Sequence, residues 1–219
     1  MRSSYSHGLL HKIVYHSTRM NEISEKTAHW LLNLARQSIE HFLETKNFVQ
    51  YDKIKIPDDL LEEANRNSGG FILLEMQSNE HRMAYIRGEN GVFDQVEQLG
   101  KLVTQIAVNA AFFDPHTPRL KAYELNELVI HLVIPAERER IVGSYAEVVA
   151  QMDLIGEGII VETRGRVAYS LPPILPNQEE SAEHRLRRLL LRLGIRKRSA
   201  ENATDYFSFS SQHFAEKSV

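Results

Sequence analysis

The residues best suited to chemistry lie in a short glycine-rich stretch, which contains Arg87, Gly88, Glu89 and Gly91. Glycine lets a backbone approach a ligand closely, and the planar arginine side chain can hold a carboxylate or a phosphate. The stretch therefore predicts a loop that binds a small anion through the Arg87 guanidinium. The alternative interpretation is an ordinary turn at the end of a strand, with no ligand.

A second candidate region is a late segment rich in arginine and leucine. A basic amphipathic helix can bind the phosphates of RNA or an acidic partner. The alternative is a helix that docks its leucines on the core and leaves its arginines in solvent, which the preceding Glu179, Glu180 and Glu183 favour. The patch residues are Arg185, Arg188, Arg192 and Arg196.

Several familiar chemical signatures are missing from the sequence. It has no phosphate-binding loop, dinucleotide fingerprint, HExxH helix or nucleophile elbow. His7 and His11 have the spacing of some zinc ligands, but no third ligand accompanies them. The sequence predicts neither a metal site nor a cofactor.

Composition indicates an ordinary soluble chain. The 219 residues carry a formal net charge of −3, which gives no general attraction to nucleic acid. No apolar run approaches the roughly 20 residues of a membrane span, and the absence of cysteine favours a reducing, cytoplasmic location. Residues 1–19 have no acidic residue, which is typical of an organelle-targeting segment; the alternative is an upstream start, with Met20 opening the compact domain. In either case we expect a flexible extension followed by one domain over 20–219.

The periodicity of apolar residues predicts the elements that position these groups. One helix begins after Ser24, and a long helix over Gln95 to Phe113 ends at Asp114-Pro115. His131 is expected to be a partly buried, hydrogen-bonded histidine within a strand. Strands are predicted at 71–76, 83–87, 128–134, 159–162, 167–171 and 206–209, and further helices after Pro57 and over 179–193. Without βαβ alternation, this order indicates an α+β fold in which helices flank a mostly antiparallel sheet, in one or two lobes.

The order and spacing of short motifs suggest a family. The motifs are Gly69 to Leu74, Ile86 to Gly91, Ala110 to Pro115, Glu124-Leu125, Ile155 to Val161 and Ser170 to Pro173. Their series resembles the AMMECR-type domain, the family of protein A of the AmmeMemoRadiSam system, whose biochemical activity is not established. The resemblance covers roughly residues 24 to 216 and implies the same α+β fold.

The resemblance also implies which residues share a site. The turn after the long helix would pack near the Arg87-Gly88 loop and bring Asp114 and His116 beside Glu89. Two carboxylates and a histidine can perform general acid and base work. Glu89 stands where the family has a cysteine, so a thiol-dependent role cannot be carried over to this chain.

Two hypotheses of function follow. The favoured one is a non-catalytic module that binds a small anionic ligand, a protein or RNA, using the Arg87-Gly88 loop. The alternative, implied by the resemblance, is an enzyme or accessory subunit of a modification system that works with Memo-like and radical-SAM proteins. The sequence leaves open whether the protein is an enzyme and what its oligomeric state is.

Overall fold

The computed structural model describes residues 22–77, 83–155, 158–163, 165–174, 180–195 and 204–216. Its helices are α1 (Glu25–Thr45), α2 (Leu61–Asn65), α3 (Leu99–Phe112), α4 (Tyr145–Ile155) and α5 (Ala182–Arg192). Its strands are β1 (Asn67–Gln77), β2 (Ala84–Gln98), β3 (Val129–Ile141), β4 (Gly158–Thr163), β5 (Arg166–Ser170) and β6 (Asp205–Ala215). The N-terminal extension with His7 and His11 lies outside the described residues.

The strands form one six-stranded sheet in the order β2-β1-β3-β6-β4-β5. Every neighbouring pair in it is antiparallel. The predicted α+β fold with an antiparallel sheet is confirmed.

Helix α1 forms where its sequence pattern predicts it. The side chain of Ser24 caps the helix by accepting a hydrogen bond from the backbone N–H of Thr27 at 3.2 Å. The apolar stripe of the helix, including Leu31, Ala35 and Ile39, is buried in the main core. The helix ends at Lys46, whose left-handed backbone has a φ of 61°.

The two faces of strand β1 have different partners. Ile72 and Leu74 point into the main core with α1 and α3, whereas Phe71 and Leu73 belong to a smaller apolar cluster on the opposite face. A separate cluster joins α4 and α5 to β4, β5 and β6. The sheet therefore packs against two large apolar clusters, one with α1 and α3 and one with α4 and α5. The small cluster around Leu73 lies where β1 and β2 approach α5.

The structure differs from the sequence prediction in several elements. The predicted loop at residues 87–91 lies inside the long edge strand β2. The predicted start of the long helix at Gln95 is also wrong, because residues 95–98 belong to β2 and α3 begins at Leu99. Helix α4 was not predicted, because it is a short, largely apolar segment without a clear polar face. None of the described helices is both long and apolar enough to span a bilayer.

Candidate ligand-binding cleft

Arg87 is the extra residue of a β-bulge. In the register of β1 with β2, Leu74 pairs with Gly88 and Glu75 pairs with Ile86, so that Arg87 has no opposite residue. A bulge shifts the alternation of side chains by one residue. As a result, Ile86 and Glu89 face the same side of the sheet although they are three residues apart.

The hydrogen-bond donors of the Arg87 side chain are occupied by acceptors of the protein itself. Its Nε and Nη2 donate to Glu124 Oε1 and Oε2 at 2.8 and 3.0 Å, and Nη1 donates to the carbonyl oxygen of Pro118 at 2.7 Å. Only 7% of Arg87 is exposed. The guanidinium lines a separate surface cavity, but its donors are already occupied there, so Arg87 fastens the segment around Pro118 and Glu124 to β2 instead of being free for an anion.

Hydrogen bonding also decides the ionisation of Glu124. Burial acts to raise the pKa of Glu124, but hydrogen bonds from Arg87 and from the backbone N–H of Lys121 outweigh burial and lower the pKa below its usual value. Arg87 and Glu124 therefore form a charged pair that is joined by two hydrogen bonds.

Gly88 and Gly91 accommodate protein atoms rather than a ligand. A Cβ on Gly88 would lie 2.2 Å from the carbonyl oxygen of Ala110 in α3, and a Cβ on Gly91 would lie 2.2 Å from the ring of Phe71. Both glycines are therefore required by close packing, and neither lines the cleft described below.

Asp114 joins the turn after α3 to strand β2. Its Oδ2 accepts from the backbone N–H of Glu89 at 2.9 Å, and its Oδ1 accepts from that of His116 at 2.8 Å. Asp114 is only 9% exposed, so both oxygens are used to hold the backbone. The structure does bring Glu89, Asp114 and His116 together, as the resemblance implied.

An open cleft of about 390 Å³ lies between these residues and helix α5. Leu73 and Ile86 form its apolar floor. Glu89, Asp114, His116 and Thr117 line one side, and Tyr169 to Pro173, Glu180, Arg185, Arg188 and Arg192 line the other. The cleft therefore combines the two groups of residues that the sequence analysis had treated as separate sites.

The arginines of α5 that face the cleft differ in their contacts. Arg185 is 5% exposed and donates to Ser170 Oγ and to the carbonyl oxygen of Leu171 at 3.2 and 3.0 Å, which ties α5 to the end of β5. Arg188 Nη1 pairs with Glu180 Oε1 at 2.9 Å. Arg192 has no hydrogen-bond or ion-pair partner in the described part of the chain.

None of the leucines of α5 is among the residues that line the cleft. Leu186, Leu189 and Leu190 are buried in the second core cluster, as the interpretation of α5 as a docked helix predicted, whereas Arg185 is buried and not left in solvent. Arg196, the last residue of the predicted patch, lies outside the described residues.

The cleft perturbs the titration of two of its groups. The Glu89 carboxyl is open to solvent, yet the surrounding protein removes hydration and raises its pKa, with a further contribution from Asp114 that Arg192, Arg188 and His116 oppose. Burial, and then the charge of Glu89, raise the pKa of Tyr169 to about 12. Tyr169 therefore stays a neutral hydrogen-bond donor at physiological pH.

His131 has the buried, hydrogen-bonded environment that the sequence predicted. It is 4% exposed, with Nε2 2.7 Å from Glu75 Oε2 and Nδ1 2.9 Å from His213 Nε2. Within the described ranges, no group of three or more His, Cys, Asp or Glu side chains could hold a metal ion.

Part of the cleft lining was not predicted from the sequence. Leu73, Ile86, Tyr169 and Glu180 were not assigned to a site. The segment Ser170 to Pro173 had been matched to a family motif, and its position in an ordered series of motifs is the signal that could have placed it near the Glu89 stretch.

Comparisons with known proteins agree with this architecture. The chain is 29% identical over 150 residues to protein NEQ441 of Nanoarchaeum equitans, covering 68% of this chain and 77% of that protein. It is 28% identical over 155 residues to protein PF1979 of Pyrococcus furiosus, covering 71% of each.

A solved structure shows the same fold. The crystal structure of the uncharacterized protein PH0010 from Pyrococcus horikoshii superposes with a TM-score of 0.76 at 24% sequence identity, covering 89% of this chain and 94% of that chain. A family model described as AMMECR1 matches residues 32–214, well over half of the sequence. The chain therefore belongs to the AMMECR1 family.

Proposed function

We propose that the cleft between β2 and α5 is a non-catalytic binding site for a small molecule that carries an anionic group. Arg192 is the main contact for that group. The observation that carries the proposal is that the guanidinium of Arg192 lines the cleft and has no partner among the described residues.

The shape and lining of the cleft support a small ligand. Its volume of about 390 Å³ falls in the range of typical small-molecule sites, roughly 300 to 1,000 Å³. Leu73, Ile86 and Leu171 supply apolar surface, while Arg192, Glu89 and Tyr169 supply a few polar groups around it. This mixture of apolar surface with convergent polar groups is typical of ligand pockets.

The contacts of the arginines favour a small ligand over a nucleic acid. A surface that follows a phosphate backbone needs several cations that solvent can reach. Arg185 is buried against Leu171, and Arg188 is paired with Glu180. This leaves one unpartnered arginine among the described members of the patch, which suits one anionic group.

The proposal also differs from the sequence hypothesis in the residue that binds the anion. The donors of the Arg87 guanidinium are occupied by Glu124 and by the carbonyl oxygen of Pro118, whereas Arg192 lines the cleft without a described partner. The glycine-rich stretch contributes Glu89 to the wall and, through its bulge, the orientation of Ile86.

The test compares two arginines of the same helix. Binding of inorganic phosphate and of acetate to the full chain is measured by calorimetry or by NMR titration for the wild type, Arg192→Ala and Arg187→Ala. Arg187 is exposed on α5 but does not line the cleft. Losing a charge-assisted hydrogen bond weakens binding by at least about tenfold, so we expect that loss for Arg192→Ala and none for Arg187→Ala. Equal affinities in all three proteins would refute the assignment.

A further inference from the structure

The polar groups of the cleft can be sorted by whether the protein already satisfies them. Both oxygens of Asp114 accept backbone N–H groups, and Arg185 donates to Ser170 and Leu171. Arg188 is paired with Glu180. None of these three side chains is fully available to a ligand.

Two side chains of opposite charge are left over. Both Glu89 and Arg192 line the cleft, and they attract each other electrostatically. They are not joined by an ion pair, and within the described part of the chain neither side chain has another hydrogen-bond partner. The cleft thus separates a carboxyl group from a guanidinium group, and a ligand placed between them can contact both.

A second carboxylate adds negative charge to the cleft lining. Glu180 uses Oε1 for its contact with Arg188, but its Oε2 is buried and has no hydrogen-bond partner among the described residues. Buried acceptors without a donor cost free energy. An occupant that brings only negative charge would leave Glu89 without a partner and would be repelled by both carboxylates.

We propose that the ligand of this cleft is a small zwitterion, with its anionic group at Arg192 and its ammonium group at Glu89. The inference rests on the proposed function, because it concerns the same cleft and the same anion contact. It goes further in naming a positive group on the ligand and the residue that receives it.

The remaining lining fits the body of such a molecule. Leu73, Ile86 and Tyr169 line the cleft, and the ring of Tyr169 packs on that of Phe71 with centroids 4.9 Å apart. An amino acid with an apolar or aromatic side chain has this combination of a charged head and an apolar body. Desolvation also raises the pKa of the Glu89 carboxyl, and an ammonium partner would offset that effect by favouring the ionised form.

The experiment uses ligand pairs that differ only in the ammonium group. Phenylalanine is compared with 3-phenylpropionate, and leucine with 4-methylpentanoate, by NMR titration of the full chain. In the wild type we expect each amino acid to bind at least about tenfold more tightly than its deaminated partner, as expected for a hydrogen bond between charged groups. Glu89→Gln should reduce this ratio to about one while the carboxylates keep their affinity. Arg192→Ala should weaken both members of each pair.

The outcomes separate the two proposals. If the carboxylates or phosphate bind in a manner that depends on Arg192 but the amino acids bind no more tightly, the zwitterion inference fails and the anion site stands. If the amino acids are preferred equally by the wild type and Glu89→Gln, the position of the ammonium group is wrong. If none of these probes binds, or binding is indifferent to Arg192, both proposals fail.

Discussion

Strand β2 contributes one residue to each of two arginine–glutamate pairs. One pair is in contact and buried, and the other is separated by the cleft. Arg87 and Glu124 are in direct contact at 2.8 Å and are almost completely buried. Glu89, two residues further along the strand, faces Arg192 across the cleft without touching it. One pair closes on itself, and the other leaves room for a third molecule.

The difference is also visible in the titration of the two glutamates. Contacts with Arg87 and Lys121 overcome burial and lower the pKa of Glu124, whereas the loss of hydration beside the surrounding protein, without such contacts, raises the pKa of Glu89. A carboxylate whose partners are supplied by the fold stabilises that fold. A carboxylate without partners is a cost in the folded state and is available to a ligand, so residue type alone does not separate structural from functional charges.

The largest expected effect is on the closed pair. Arg87→Ala leaves the Glu124 carboxylate buried without its cation, which destabilises a protein by about 3–5 kcal/mol. Chemical denaturation of the variant should show this loss in the free energy of unfolding, with Arg187→Ala as the exposed control. A variant with the stability of the wild type would mean that the buried pair has no structural role.

The second largest effect should come from the packing of β2 on α3. Gly88→Ala places a methyl group 2.2 Å from the carbonyl oxygen of Ala110, and that oxygen belongs to helix backbone that cannot easily move. Overpacking of this kind costs about 1–3 kcal/mol. Thermal unfolding should show a lower Tm, whereas an unchanged Tm would indicate that the two elements can separate at no cost.

A smaller effect should appear in the pH dependence of stability at Glu89. Its pKa is raised in the folded state from the ordinary 4.5, so the folded chain holds a proton that the unfolded chain has already released. The wild type therefore loses stability relative to Glu89→Gln as the pH rises from about 4.5. The Tm difference between the two proteins, measured across this range, should grow in favour of the variant and then level off; growth in the opposite direction would mean that Glu89 has a stabilising partner.

The smallest effect on stability is expected at Arg192. Because its guanidinium contacts no described partner, Arg192→Ala should change the free energy of unfolding by no more than about 0.5 kcal/mol. The same denaturation experiment on Arg187→Ala gives the reference for an exposed arginine of α5. A loss comparable with that of Arg87→Ala would show that the cleft arginine is structural and would remove the contrast between the two pairs.

The sequence by itself determined the elements that depend on local patterns. Ser24 and the apolar stripe of α1, the stop of α3 before Asp114-Pro115 and the alternating strands all follow from capping, proline geometry and side-chain periodicity. The ordered motifs identified the family, and the fold explains why they occur together. Gly88 packs on Ala110, Glu89 is held by Asp114, and Arg87 is held by Glu124.

The tertiary structure alone decided what each charged residue does. A one-residue bulge at Arg87 set which side chains of β2 face the cleft, and no local pattern specifies such a shift. The partners of Arg87, and the residues that line the cleft opposite Arg192, come from segments distant in the chain, so tertiary packing determined that one arginine is enclosed and the other open. The sequence supplied the two sets of charges, and only the docking of α5 against the sheet placed them in one cleft.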